Sequence, residues 1–344
     1  MLEKLTQHLI VAQLLDDEQV QQAVDQLADE VVLANLKADF LTALAKKGET
    51  PGEIAAFALA LREKSITPPL DAETRSREIL DIVGTGGDRL GTINISTTAA
   101  LICAAGVTVA KHGNRAVTSQ AGSADVLEAL GININLSPEA AAHSLRDHHF
   151  AFFFAPNYHP AFKHISPARK LLAERGQRTI FNLLGPLLNP ARPSAMLMGV
   201  PRPELCEPLA HVLQSLEVRR AMVVCGKVSE AGFLDELSTL GENTIAEFYQ
   251  ERGFTTSTTT PDQFPLQPAL LADLIGGDKN ANAKIVRDIL SGQERGPKRD
   301  AVLLNAAAAL FIAGKTKSQS EGWDLAGEVI DDGRASAKLA ELAG

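Results

Sequence analysis

No Cys-x-x-Cys pair occurs in this chain, and its three cysteines, Cys103, Cys206 and Cys225, stand far apart in apolar sequence. Three isolated thiols exclude a disulfide framework and a cysteine zinc site, so reduced, packed thiols are expected. Apolar runs such as 306–313 fall well short of a membrane-spanning helix, which needs roughly 18 residues. A secretory signal, with its basic start and unbroken apolar stretch, is also missing. Met1-Leu2-Glu3-Lys4 leads straight into an amphipathic pattern carrying Asp16, Asp17 and Glu18, so a cytoplasmic protein is expected. Basic charge is scarce: 33 Lys and Arg against 42 Asp and Glu give −9, which argues against a general nucleic-acid binder. Small anions remain open, because a few backbone N–H groups and lysines hold a phosphate inside an acidic protein.

What is present is globular. A hydrophobic content of 45% and a charged content of 22% exclude disordered and fibrous classes, and 344 residues suggest two compact units. Residues 1–65 read as helix throughout: Leu9, Ile10, Ala12 and Leu14, then Val20, Val24 and Leu27, then Leu36, Phe40, Leu41 and Leu44 recur near a helical period. Gly48, Pro51 and Gly52 break the run before a helix over 54–63, and Thr67-Pro68-Pro69 ends the unit. Beyond residue 78, strand-length apolar runs at 79–83, 107–110, 151–155, 195–200 and 220–225 alternate with helical patterns at 97–105, 124–130, 138–148, 161–175 and 203–216. That alternation predicts an α/β unit with a mostly parallel sheet, whose ligands sit outside the carboxyl ends of the strands. The 255–260 threonine tract reads as a loop or irregular hairpin, and 299–313 and 321–343 as terminal helices.

Two loops concentrate anion-binding groups. Gly84-Thr85-Gly86-Gly87-Asp88 follows the first strand and precedes a helix beginning near Ser96-Thr97. Glycines let backbone N–H groups approach an anion, and a helix N-terminus adds partial positive charge. The spacing is neither dinucleotide nor Walker, since Arg89 stands where a third glycine is needed and no Gly-Lys-Ser/Thr follows. The second loop, Lys111-His112-Gly113-Asn114-Arg115 through Thr118-Ser119-Gln120-Ala121-Gly122-Ser123, supplies cations, amides and hydroxyls. Two such loops side by side suggest a ligand with two phosphate centres. His112 taken alone reads more readily as a loop tie than as a catalyst. Asp235-Glu236 follows a further strand; beside a polyphosphate such a pair becomes a magnesium site. Arg169, on a basic helix, can cap a carboxylate with its two-pronged guanidinium.

Together these segments resemble the anthranilate phosphoribosyltransferases. The resemblance rests on the glycine loop, Asn94-Ile95-Ser96-Thr97, the second loop, Gly122-Ser123-Ala124-Asp125-Val126-Leu127-Glu128-Ala129-Leu130-Gly131, Phe181-Asn182-Leu183-Leu184-Gly185-Pro186-Leu187-Leu188-Asn189-Pro190 and Asp235-Glu236-Leu237, in the family's order. It implies a small helical domain (1–68, with a returning helical segment at about 165–190) and a large α/β catalytic domain (75–344) of the nucleoside-phosphorylase type. Homodimers through the small domain are implied as well. Gly84, Gly87, Asp88, Thr92, Asn94, Ile95, Ser96, Thr97, Lys111, His112, Gly113, Asn114, Arg115, Ala116, Val117, Thr118, Ser119 and Ser123 are the implied site for phosphoribosyl pyrophosphate (PRPP). Ser96, Asp235 and Glu236 are the implied ligands of two Mg²⁺ ions. Gly84, Asn114 and Arg169 are the implied contacts of anthranilate, and Lys111, Asp88 and Asn114 the implied catalytic residues. Thr118-Ser119-Gln120-Ala121 departs from a common Ser-Ser-Lys-Ser, Cys225 replaces a common histidine, and 227–233 is a longer approach to the acidic pair.

The reaction implied is displacement of pyrophosphate by the amine of anthranilate. That amine is neutral near pH 7, so holding two substrates in line and stabilising the leaving group matter more than a general base. Two alternatives share the architecture: a pyrimidine nucleoside phosphorylase and a non-catalytic nucleic-acid-binding relative. The acidic pair and the retained phosphate loops argue against the first, the loops and the −9 charge against the second. Val329-Ile330-Asp331-Asp332 lacks the Thr-Gly of type I phosphoribosyltransferases and reads as helix surface.

Overall fold

The computed structural model describes residues 1–116, 120–229, 232–250 and 253–344. Four helices, Leu2–Ile10, Asp17–Ala28, Ala34–Lys47 and Pro51–Glu63, make the N-terminal unit. Reciprocal capping starts two of them: Asp16 with Gln19, and Thr50 with Glu53. Each pair satisfies backbone donors that the first turn leaves open. A distant helix, Phe162–Glu174, returns to this unit, burying Ile165, Ala168 and Leu172 in the core that holds Phe40 and Phe57. Lys37, almost wholly buried, donates to the carbonyls of Asp29 (2.6 Å) and His164 (2.9 Å), tying the returning helix down.

Among the described residues the large unit is built on eight strands: β1 Ile79–Gly84, β2 Thr108–Gly113, β3 Phe150–Phe154, β4 Ala195–Gly199, β5 Arg220–Ser229, β6 Gly232–Leu234, β7 Asn243–Tyr249 and β8 Gly253–Thr259. Their order is β3-β2-β1-β4-β5-β7-β8, with β6 paired to β5. The first five run parallel, while β6, β7 and β8 pair antiparallel. The chain steps outward from β1 to β3 and then crosses back to β4, so the order reverses between β1 and β4. Such a reversal opens a crevice at the carboxyl ends of the two strands. Gly84 and Gly199 are partners there.

One face of the sheet, with Leu80, Ile82, Val109 and Leu197, packs on helices Ile95–Cys103, Pro297–Ile312 and Gln319–Asp331. The other, with Val83, Met196, Met198 and Val223, packs on helix Cys206–Ser215 and the N-terminal unit. All three cysteines are buried and free.

Three elements differ from the sequence reading. The threonine tract is β8, a regular strand registered from Gly253 against Tyr249 to Thr259 against Asn243. It is an edge strand with little burial, so no apolar alternation marked it. Helix Lys279–Leu290, capped by Asp278, was not foreseen. The terminal stretch is two helices, Gln319–Asp331 and Arg334–Ala343, parted at Gly333 with φ +84°. Asp331 pairs with Arg295 (3.4 Å) and Arg299 (2.9 Å), and Asp332 with Arg334 (2.7 Å), as a helix surface should.

Candidate active site

The β1–β4 crevice is floored by glycine and faced by acid. Strand β5 runs past Cys225 to Ser229 and turns back as β6, which delivers Asp235 and Glu236 over the strand ends. A Cβ on Gly84 would strike the Asp235 carboxylate, and one on Gly199 the Asp235 carbonyl. Only glycine lets the acidic turn lie this close. In the loop after β1, Gly86 and Gly87 take φ of +74° and +94°, which aims the Gly86 N–H at Asp235 Oδ2, 2.6 Å away. Asp88 reaches the same carboxylate and accepts from Leu90 N at 3.2 Å. Glu236 Oε1 accepts from Ser96 N (3.2 Å) and from the Ser96 hydroxyl.

Three carboxyls in one pocket repel. Burial, then Asp88 and Glu236, hold Asp235 well above the usual carboxylate range. Burial lifts Glu236 to about 7, held back chiefly by the charge of Lys111 and by Ser96. Lys111 is therefore placed differently from the expectation that it faces phosphates from a loop. It is a β2 residue, 2% exposed, and its Nζ donates to the Ile82 carbonyl at 2.6 Å. Strand alternation turns it inward under the acids.

The rest of the expected PRPP set divides between loop and core. Ile95, Ser96 and Thr97 form the first helical turn, but the Ile95 and Thr97 side chains are buried, so they offer backbone only. Asn94 donates to the Ala121 carbonyl (3.2 Å) and accepts from Asn282 (2.9 Å), bridging the two loops to helix Lys279–Leu290. Thr92 pairs with Ile275. Gly113 must lack a side chain, since a Cβ would run into Ser123 Oγ and the Phe152 ring. Asn114 accepts the Arg115 N–H on Oδ1 (2.8 Å) and the Ser123 hydroxyl on its carbonyl (3.3 Å). Arg115 is committed elsewhere than to a ligand, pairing with Asp125 (2.9 Å) and Glu128 (3.0 Å) over the Phe154 ring. Asp125 Oδ2 also takes the N–H groups of Ala116 and Gly122, each at 2.9 Å. Val117, Thr118 and Ser119 lie outside the described residues.

The opposite face of the same edge is aromatic. His112 is buried; its ring donates to the Gly185 carbonyl and meets His159, Nε2 to Nε2, at 3.2 Å. Burial pushes His159 down to about 4 and His112 well below its ordinary value, so both rings are neutral at pH 7. His112 thus ties structure together, and its own side chain is not directed at phosphate. Phe162 lies 5.7 Å from His159 and 5.5 Å from Phe181. The Arg169 guanidinium sits over both rings, at 5.9 and 5.3 Å. Burial lowers its pKa, and no carboxylate offsets that burial among the described residues. Sequence reasoning gave Asn189 no role, yet it donates to Asp81 (2.8 Å) and the Ala110 carbonyl (2.7 Å), holding β1 to β2 beneath this pocket. Its place in the Phe181–Pro190 segment was the only available signal.

Residues 76–336 match the glycosyl transferase family a/b domain and residues 1–65 the glycosyl transferase family helical bundle domain. The anthranilate phosphoribosyltransferase of Lacticaseibacillus casei is 46% identical over 326 residues, covering 94% of this chain and 92% of that protein. The chain belongs to the anthranilate phosphoribosyltransferase family. The crystal structure of the Thermus thermophilus member superposes with a TM-score of 0.88 at 42% identity, covering 98% of each chain. The Saccharomyces cerevisiae member in complex with PRPP and Mg gives 0.88 at 28% identity, covering 99% of this chain and 96% of that one. The same yeast enzyme is also known in complex with 4-fluoroanthranilate. Membership makes this chain a pentosyl-transferring enzyme of tryptophan biosynthesis, and supports neither the phosphorylase nor the nucleic-acid-binding alternative.

Proposed function

We propose that the chain transfers the phosphoribosyl group of PRPP to the amine of anthranilate at the β1–β4 crevice. The products are N-(5-phosphoribosyl)anthranilate and pyrophosphate. The observation that carries this reading is the acidic turn pressed against Gly84 and Gly199 at the point where strand order reverses. An assay of anthranilate fluorescence, with PRPP and Mg²⁺ each present or omitted, tests it: loss of signal should require all components.

The residues fit magnesium. Asp235, Glu236 and Ser96 offer hard oxygen donors, and the burial and the nearby Asp88 charge that raise both acids are what a cation offsets. Among the described residues no three metal-ligating side chains form a ready cage, and Mg²⁺ bound with a phosphorylated substrate needs only one or two carboxylates. We assign two ions to this turn. Bound there, magnesium supplies neutralisation of charge on pyrophosphate. The chain does the rest. Gly87 and Thr97 offer backbone N–H groups to the donor, Asp88 and Asn114 line its approach, and Arg169 over Phe162 and Phe181 takes the carboxylate of anthranilate. The neutral amine needs no base, which suits a pocket whose two histidines are uncharged.

Lys111 acts on this chemistry from below. Lys111→Met should let Glu236 keep its proton to higher pH. Turnover at pH 7 should then fall about ten-fold, or 1.4 kcal/mol, with partial recovery as pH rises. An acid limb of the pH–rate profile identical to wild type would show that the ammonium charge is not felt.

We also assign residues 1–68 and 165–190 to the small domain and 75–344 to the catalytic domain. The chain would work as a cytoplasmic homodimer joined through the small domain. That unit exposes Ile10, Val11, Leu14, Val31 and Leu33, with Val31 80% open, a density of apolar side chains typical of interfaces. Among the described residues no helix is long and apolar enough to cross a membrane. Val31→Lys with Leu33→Lys should halve the mass seen by light scattering; an unchanged mass would place the interface elsewhere.

A further inference from the structure

The turn carrying Asp235 and Glu236 belongs to no helix or strand, yet two buried asparagines grip it in succession. Asn305 is wholly buried in helix Pro297–Ile312, where every other residue from Ala301 onward is apolar. Its Oδ1 accepts the Leu237 N–H at 2.9 Å, and its Nδ2 donates to the Leu237 carbonyl at 3.0 Å and to the Ala301 carbonyl at 2.9 Å. Asn243, the first residue of β7 and 2% exposed, treats the next residue the same way. Its Oδ1 accepts the Ser238 N–H at 2.7 Å and its Nδ2 donates to the Ser238 carbonyl at 3.0 Å. Each carboxamide closes on both polar groups of one residue, as a neighbouring strand would. One comes from the helix layer and the other from the sheet.

Fold alone gives this pairing little reason. An asparagine in an apolar helix could be replaced by leucine with better packing, and the turn could have been lifted clear of the sheet. Instead Gly84 and Gly199 at the ends of β1 and β4, and Gly226 within β5, strip side chains away so that residues 235–238 lie flush. A loose turn would let two adjacent carboxylates splay apart. Held at Leu237 and Ser238, they stay aimed at the Gly86 and Ser96 N–H groups, at 2.6 and 3.2 Å.

We propose that Asn305 and Asn243 are positioning residues for the Asp235–Glu236 pair, fixing the backbone after it so that both carboxylates remain in cation-binding geometry. The inference rests on the magnesium reading above. Groups that orient metal ligands typically change metal affinity by about 10- to 100-fold when removed.

The test is Asn305→Leu, which suits the apolar helix, together with Asn305→Asp, which keeps size and acceptor but loses the donor. The melting temperature is titrated with Mg²⁺ at fixed, saturating PRPP, and kinetics are measured alongside. The Mg²⁺ concentration giving half the stabilisation should rise about ten-fold or more. The anthranilate KM should stay within about two-fold, and turnover should recover at high Mg²⁺, which damage to the fold would not allow. If a position-305 variant does not fold, Asn243→Ser carries the same expectation from the sheet side. Folded variants with a wild-type Mg²⁺ midpoint overturn the proposal. Asp235→Asn with Glu236→Gln, run in parallel, separates the two failures. If that double variant also keeps the wild-type midpoint, the magnesium assignment itself is wrong.

Discussion

Asp235→Asn combined with Glu236→Gln should give a folded protein whose magnesium-dependent activity is down by roughly 10²- to 10³-fold. A metal ion supplies several kcal/mol of charge stabilisation in such a reaction, at about 1.4 kcal/mol per factor of ten. Residual activity should need far more Mg²⁺. The metal-free protein should respond in the opposite direction. Both acids are raised in the folded state, mainly by burial and by the Asp88 carboxylate beside them. A carboxyl with a raised folded pKa binds more protons folded than unfolded, so stability falls as pH climbs from its unfolded value, near 4, toward the folded one, about 7 for Glu236. The double amide removes this loss, and its melting temperature at pH 8 should exceed that of the wild type without metal. At pH 4 the two should melt alike. Normal activity at ordinary Mg²⁺ would sink the assignment of these residues to the metal.

Arg169→Ala should raise the KM for anthranilate by about 10- to 100-fold and leave that for PRPP nearly unchanged. A hydrogen bond to a charged group is worth about 1.5–3 kcal/mol, and here the guanidinium is already placed over two rings with no acid among the described residues to satisfy it. Removing it takes away a fixed cation that a ligand carboxylate can use without disturbing an existing pair. Arg169→Lys should recover only part of the loss, since an ammonium neither stacks nor offers a planar fork. If both Michaelis constants rose equally, Arg169 would be holding Phe162 and Phe181 in place and nothing more.

The elements that position this site were largely legible in the sequence, because strand, glycine loop and helix each leave a local signature. Gly84 to Asp88 announced a close approach, and the acidic pair stood out by composition. What could not be read was direction. Lys111 and His112 are adjacent, and no local pattern says which face of β2 each will take, so Lys111 was expected on the loop after the strand when it lies within β2, beneath the acids. Arg115 looked available until Asp125 and Glu128 from the following helix claimed it. Asn189 and Asn305 act through partners tens of residues away, and long-range partners leave no periodicity. The threonine tract was read as a loop or irregular hairpin, and its regular strand went unseen because a threonine-rich edge strand satisfies its backbone without burying a stripe.

The parity of β2 has one further consequence. Lys111 emerges toward the acidic turn and His112 toward the aromatic pocket, so the sheet is a dividing wall with the acids on one side and the Arg169 pocket on the other. With donor and acceptor on the two sides as proposed, they would meet over its rim, where β1, β2 and β4 end in glycine. Specificity for donor and for acceptor can therefore drift separately, each on its own side. A single-residue insertion in β2 is another matter. It would exchange the two faces at a stroke, and no substitution at the rim could compensate.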